Sequence, residues 1–139
     1  MRTLLLLLVC GAAFAQAPAY QPVGNMSQLM VDIIYPASDA VFYIGRNKPK
    51  NDVEWNQFKT QALMLAESGN LLLMPGRARD NDKWVTDTKL MIDVAKKAYN
   101  LAKAKNLDGI LDLNDELNTA CVTCHKDYRP NYGRPQPQK

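Results

Sequence analysis

The 139 residues include a single histidine, His125, and only three cysteines, Cys10, Cys121 and Cys124. Any metal that needs imidazole therefore has one site to choose, and a second histidine ligand is excluded. Aromatic residues make up 8% of the chain. No stretch reads as a strand hairpin and no internal repeat is present, which turns the expectation away from sandwiches, barrels and solenoids. The longest aliphatic run, residues 4–9, is too short to span a bilayer. Basic residues exceed acidic ones only by 17 to 14 and are interspersed with them, so there is no nucleic-acid footprint. Nothing resembles a phosphate loop or a nucleophile paired with a base, and no catalytic residue is assigned.

The start of the chain reads as a secretory signal. Met1-Arg2 supplies the positive end, residues 4–9 the apolar run, and Ala13-Phe14-Ala15 a small-x-small cleavage site. Cys10 raises a lipoprotein alternative, but the bulky Val9 before it fits poorly where a small residue is needed. Cleavage after Ala15 leaves 124 residues and removes Arg2, for a net charge of about +2. That length suits one domain with a real core. The expected division is a signal at 1–15, a folded body at 16–129 and a tail at 130–139 with three prolines. Export implies a periplasmic protein.

The stretch Cys121-Val122-Thr123-Cys124-His125 carries the chemistry. C-x-x-C-H is the attachment signature of a c-type haem, in which two thiols add to the haem vinyl groups and the imidazole takes the iron. On a helix, positions 121 and 124 share a face, and residue 125 follows beside them. A structural zinc site needs a fourth ligand that the chain does not obviously supply, since Cys10 lies in the segment to be removed. A thioredoxin-like dithiol wants a βαβ setting, which is not visible. A plain disulfide in an exported helical interaction module leaves His125 unexplained. One covalent haem c per chain is the expectation.

Four amphipathic stretches follow from apolar spacing of three and four. The first, over 26–44, places Met26, Met30, Ile33, Ala37, Val41 and Ile44 on one face, with a kink or short break at Pro36. The second, over 52–74, is capped by Asn51 with Glu54 three residues on, and turns Trp55, Phe58, Ala62, Leu65, Gly69 and Leu72 inward. Pro75-Gly76 ends it. The third begins after one of Asp80, Asn81 or Asp82 and runs to about Lys105, with Trp84, Thr88, Met91, Ala95, Ala98 and Ala102 inside. The fourth opens at Asp108-Gly109 and carries Ile110, Leu113, Leu117, Ala120 or Cys121, Cys124 and Tyr128 inward until Pro130. Short connections between four such helices predict an all-α four-helix bundle.

A haem motif on the last helix of an exported four-helix chain, continuing through Tyr128 and Arg129, resembles the cytochrome c′ family and its low-spin relatives. The resemblance covers the mature chain in architecture and specific residues only over 121–129. It implies an up-down-up-down bundle with covalent haem on the C-terminal helix. It also implies haem attachment through Cys121 and Cys124, His125 as proximal ligand, and Arg129 beside that imidazole.

The family divides on the other face of the iron, where the first helix supplies either a methionine or an apolar side chain. Here it offers Met30, or Met26 one turn earlier. Members often have an arginine where Met26 stands, touching a haem propionate, and Arg77 or Arg79 are substitutes to consider. Two functions follow from the resemblance: an electron carrier with His125 and Met30 on the iron, or a five-coordinate protein binding NO or CO. The expected partner is a redox protein, of acidic character if the basic residues around the motif dock it. A homodimer is left open, and the mature form has no membrane span.

Overall fold

Residues 20–129 are described by the computed structural model, and every regular element in them is helical. The expected signal at 1–15, with Cys10, and the expected tail at 130–139 lie outside the described residues.

Helix formation starts at Asn25, whose side chain accepts from Gln28 N–H while Gln28 Oε1 accepts from Asn25 N–H, both at 2.9 Å. This reciprocal cap was not expected. The first helix then runs in three pieces, Met26–Gln28, a π-helical stretch Leu29–Ile34, and Tyr35–Phe42. The expected break at Pro36 is instead a change of register one turn earlier. Pro36 has no N–H, and in an α-helix its ring would press on the Asp32 carbonyl, a cost of roughly 3 kcal/mol or more. The wider turn, in which Tyr35 N–H reaches back five residues to Met30 O, accommodates it. The buried face changes accordingly. Leu29 and Ile34 are enclosed, at 3% and 6% exposure, whereas Met26, Met30 and Ile33 are half-buried. Ala37, Val41 and Ile44 are inside as expected.

The second helix is Asp52–Leu72. Asn51 Oδ1 accepts from Glu54 N–H at 3.0 Å, but the Glu54 carboxylate accepts from Lys50 N–H at 2.7 Å and from Asn51 Nδ2 instead of closing a capping box. Phe58, Ala62, Leu65, Gly69 and Leu72 are buried and Trp55 half-buried. Gly69 lets the second and third helices close up, since a Cβ there would lie 2.3 Å from Ile92 Cγ1.

The third helix, Lys83–Lys103, follows Asp82. The capping carboxylate is Asp80, which accepts from Trp84 N–H at 2.8 Å and Asp82 N–H at 3.0 Å. All six expected inner residues are buried, joined by Asp87 and Val94.

The fourth stretch is two helices, not one. Lys105 takes a positive φ of 52° at the end of the third helix, and Asn106 caps a short helix Leu107–Leu111 by accepting from Gly109 N–H at 2.9 Å. A tight turn, with Leu113 N–H on Ile110 O at 3.1 Å, separates it from the last helix Asn114–Tyr128. The turn lets Ile110, Leu113 and Leu117 all reach the core. The helix ends at Arg129, which leaves the helical conformation at φ −141° and ψ 62° while its N–H still reaches His125 O at 2.9 Å.

Successive helices pack side by side: first on second, second on third, third on last. The first and last helices make few close approaches, although Asn114 Nδ2 spans to Phe42 O at 3.4 Å at one end. The bundle is therefore packed on three sides and grooved on the fourth.

Candidate functional site

A groove of about 390 Å³ runs along that fourth side, between the first and last helices. Met30, Ile34, Tyr35 and Phe42 form one wall, and Cys121, Val122, His125 and Arg129 the other. Behind it lies a small, almost wholly apolar cavity of about 40 Å³, walled by Leu72 of the second helix, Asp87, Thr88 and Met91 of the third, and Ala120 and Cys124 of the last. Met30, Ile34, Cys121 and His125 line both spaces. The groove and the cavity are thus two parts of one slot, and the first helix faces the C-x-x-C-H motif across it.

The local sequence explains the arrangement. Cys121 and Cys124 are one turn apart on the last helix, so both sulfurs face the bundle, Cys124 nearly buried and Cys121 half-buried. Residue 125 stands between the buried face and the groove. Met30 reaches the slot because the π-helical turn gives the enclosed position to Leu29. Of the two methionines expected near the iron, Met30 lines the slot, while Met26 packs on the core edge without lining either space.

Arg129 lies at the groove end beside His125, and its charge, after burial, lowers the imidazole pKa. A neutral imidazole is the form that binds a metal. Burial pushes both thiols up, and Cys124 reaches about 11, with Asp87, Asp127 and Cys121 adding to the effect of burial. The two sulfurs are protonated at neutral pH, unlike the activated thiolate of a dithiol oxidoreductase.

Arg77 is engaged elsewhere. Its guanidinium donates to Gly24 O at 3.1 Å and to Leu71 O at 3.4 Å, which ties the chain before the first helix to the end of the second. Arg79 is exposed and lines neither space.

Asp87 is the residue that the sequence did not single out. It is 4% exposed, it walls the inner cavity, and its Oδ2 finds no hydrogen-bond partner among the described residues. Thr88 Oγ1 beside it is in the same condition. Burial holds the Asp87 carboxyl above the ordinary range, with Lys83 pulling the other way and Asp127 and Asp80 adding to burial. A signal existed: residue 87 falls three after Trp84 and four before Met91, on the inner stripe of its helix.

The last turn of the motif helix is clamped to the start of the third. Asp127 pairs with Lys83 at 2.7 Å, and Tyr128 Oη donates to Asp80 Oδ2 while its ring meets Trp84 edge-on at 4.9 Å. Trp84 is itself fixed by donating from Nε1 to Leu72 O at 2.9 Å.

A second depression, of about 440 Å³, lies between the third and last helices, with the exposed Lys97–Glu116 pair, Asp93 and Lys96 in its lining and neither cysteine nor His125. No group of three His, Cys, Asp or Glu side chains converges as a metal site among the described residues. In comparisons with known proteins, no family model, no curated protein and no solved structure matches this chain.

Proposed function

We propose that this chain is an exported monohaem c-type cytochrome of the kind it resembles, a low-spin relative of cytochrome c′ that carries electrons in the periplasm. Cys121 and Cys124 would hold haem c covalently, and His125 and Met30 would take the two axial positions. The observation that carries the reading is that Met30 and His125, from opposite helices, line one slot whose inner wall holds both thiols.

The fit can be tested on three further features. The inner cavity has the character of a site for a flat apolar group, with almost no polar atoms on its lining, while the outer groove adds polar side chains such as Ser38, Asp39 and Asn118. Around the groove, Tyr35, Tyr43 and Val122 are 63%, 39% and 52% exposed, a concentration of uncovered apolar surface that a macrocycle in the groove would reduce. Finally, the donor set suits haem better than zinc. Two protonated thiols and one neutral imidazole match thioether formation and one axial bond, and although Asp87 lines the same cavity, no group of three His, Cys, Asp or Glu side chains among the described residues converges as tetrahedral zinc requires.

Bound there, the haem would supply one-electron chemistry, and the chain's residues would set its conditions. Thioether ligation favours the ferrous state. The inner apolar wall would shield the buried edge of the group from water, and Met30 and His125, held on packed helices, would limit rearrangement between oxidation states.

The optical spectrum of the purified, exported protein tests this. The expectation is covalently attached colour with a low-spin spectrum in both oxidation states, and loss of the colour in the Cys121→Ala, Cys124→Ala variant. A high-spin spectrum with ready CO binding would transfer the reading to the five-coordinate, gas-binding alternative. A colourless protein with a 121–124 disulfide would replace it with the helical interaction module.

A further inference from the structure

The π-helical turn in the first helix is tied to the slot by the residue it turns outward. In an α-helix, the position buried above Ile34 is four residues back, at Met30. Here it is five back, at Leu29, which is 3% exposed. Met30 is thereby rotated from the core into the slot, and Val31 to the outer rim of the groove, where it is 61% exposed. Reversion to an α-helix anchored at Ile34, Ala37 and Val41 would put Met30 in the core and Val31 in the slot. Little in the packing forbids that register, because exchanging Leu29 for Met30 inside conserves volume. What opposes it is Pro36, which cannot donate a hydrogen bond and whose ring in an α register would press on the Asp32 carbonyl. The sequence thus holds two competing registers, and one proline separates them.

We propose that Pro36, through the π-helical turn at Leu29–Ile34, selects Met30 as the side chain the first helix presents to His125. Pro36 does not line the slot. It is a positioning residue, acting on the iron's sixth site through backbone register. This inference rests on the haem reading for its consequence at the iron, but not for the register itself.

The test uses two variants of the full, haem-loaded chain and two readouts. Pro36→Ala is expected to relax the turn, turn Met30 inward, and convert a low-spin spectrum to a high-spin one that binds CO. Deleting Asp32, an exposed residue within the turn, in the Pro36→Ala background restores four-residue spacing between Leu29 and Ile34 and so returns Met30 to the slot. Regained low-spin character in that shortened variant is the expected result, and one that mere loss of folding in Pro36→Ala would not give.

The second readout is alkylation of a Val31→Cys thiol, the motif cysteines being blocked as thioethers. Labelling is expected to be fast with Pro36 and slow in Pro36→Ala, where residue 31 turns into the slot. Unchanged spectrum and unchanged labelling in Pro36→Ala would overturn the proposal, as would a shortened variant that stays high-spin. If the parent protein proves high-spin while labelling still responds to Pro36, the positioning stands and the Met30 ligand assignment falls.

Discussion

Asp87 of the third helix and Cys124 of the last wall the same buried cavity, and the carboxyl adds to burial in pushing the thiol up to about 11. The same burial bears on Asp87 itself, because a charge there has no hydrogen-bond partner at Oδ2 among the described residues to offset its lost hydration.

This gives a stability that depends on pH with a definite sign. Burial raises the Asp87 pKa above its ordinary 3.8, so the folded state holds its proton more tightly than the unfolded state. Its contribution is neutral below the ordinary value, turns destabilising as pH rises above it, and is fully unfavourable once the folded group ionises. Asp87→Asn should therefore raise the urea midpoint at neutral pH and leave it nearly unchanged near pH 3. Equal effects at both pH values would mean that the carboxylate charge is not what the cavity resists.

Met30 and Met26 differ in a way that one measurement resolves. Met30 lines both parts of the slot and Met26 neither. On the proposed haem reading, Met30→Ala is expected to open the iron and produce a high-spin, CO-binding protein, whereas Met26→Ala should leave a low-spin spectrum in place and cost only packing at a half-buried site. A parental spectrum in Met30→Ala, or a high-spin one in Met26→Ala, would remove Met30 from the iron.

A packing prediction follows from Gly69. Its missing side chain admits Ile92, and an added Cβ would meet Ile92 Cγ1 at 2.3 Å, near a branch point and not at a flexible end. Gly69→Ala gains helix propensity but must part the second and third helices. Overpacking of this kind costs about 1–3 kcal/mol against a gain of about 1. A net loss of stability by chemical denaturation is expected, relieved by Ile92→Val or Ile92→Ala. Stabilisation by Gly69→Ala alone would show that the helices separate freely.

The second and third helices were legible in the sequence because their inner faces repeat at three and four residues without interruption. Phe58, Ala62, Leu65 and Gly69 on one, and Trp84, Thr88, Met91 and Ala95 on the other, fall where that spacing puts them. The first helix was legible in extent and not in register, because a constant α period cannot represent a five-residue turn. Leu29 and Ile34 were accordingly missed, and Ile33 was placed too deep. The split of the fourth helix depends on a tight turn at Leu113, for which no glycine or proline gives warning. Of the site, the motif was visible as a short string with a chemical reason. Asp87 was not, because an acid on a charged helix looks like a solvated face until its neighbours on the inner stripe are counted.

The last prediction concerns how a partner approaches. Near the motif the described residues include Lys126 and Arg129, both exposed, and the one acid between them, Asp127, is drawn to Lys83 at 2.7 Å. Arg46 adds a cation at the groove's far rim, over the Tyr43 ring at 4.6 Å. The tail contributes Arg134 and Lys139 in sequence. At the motif's last turn Lys83, Lys126 and Arg129 outnumber Asp80 and Asp127 by one. If electrons cross at the edge of the groove beside Val122 and His125, these cations would steer an acidic partner and raise the association rate more than the affinity. Screening gives the discriminating experiment, since the reach of an exposed charge falls from about 30 Å at 0.01 M salt to about 8 Å at 0.15 M. The second-order rate of electron exchange with an anionic partner should fall on the order of tenfold or more across that range. Lys126→Glu, and separately truncation after Arg129, should lower the rate at low salt and flatten its salt dependence while the spectrum stays unchanged. A cluster that serves only solubility would leave the rate indifferent to salt and to both changes, and that outcome would place the docking surface elsewhere on the bundle.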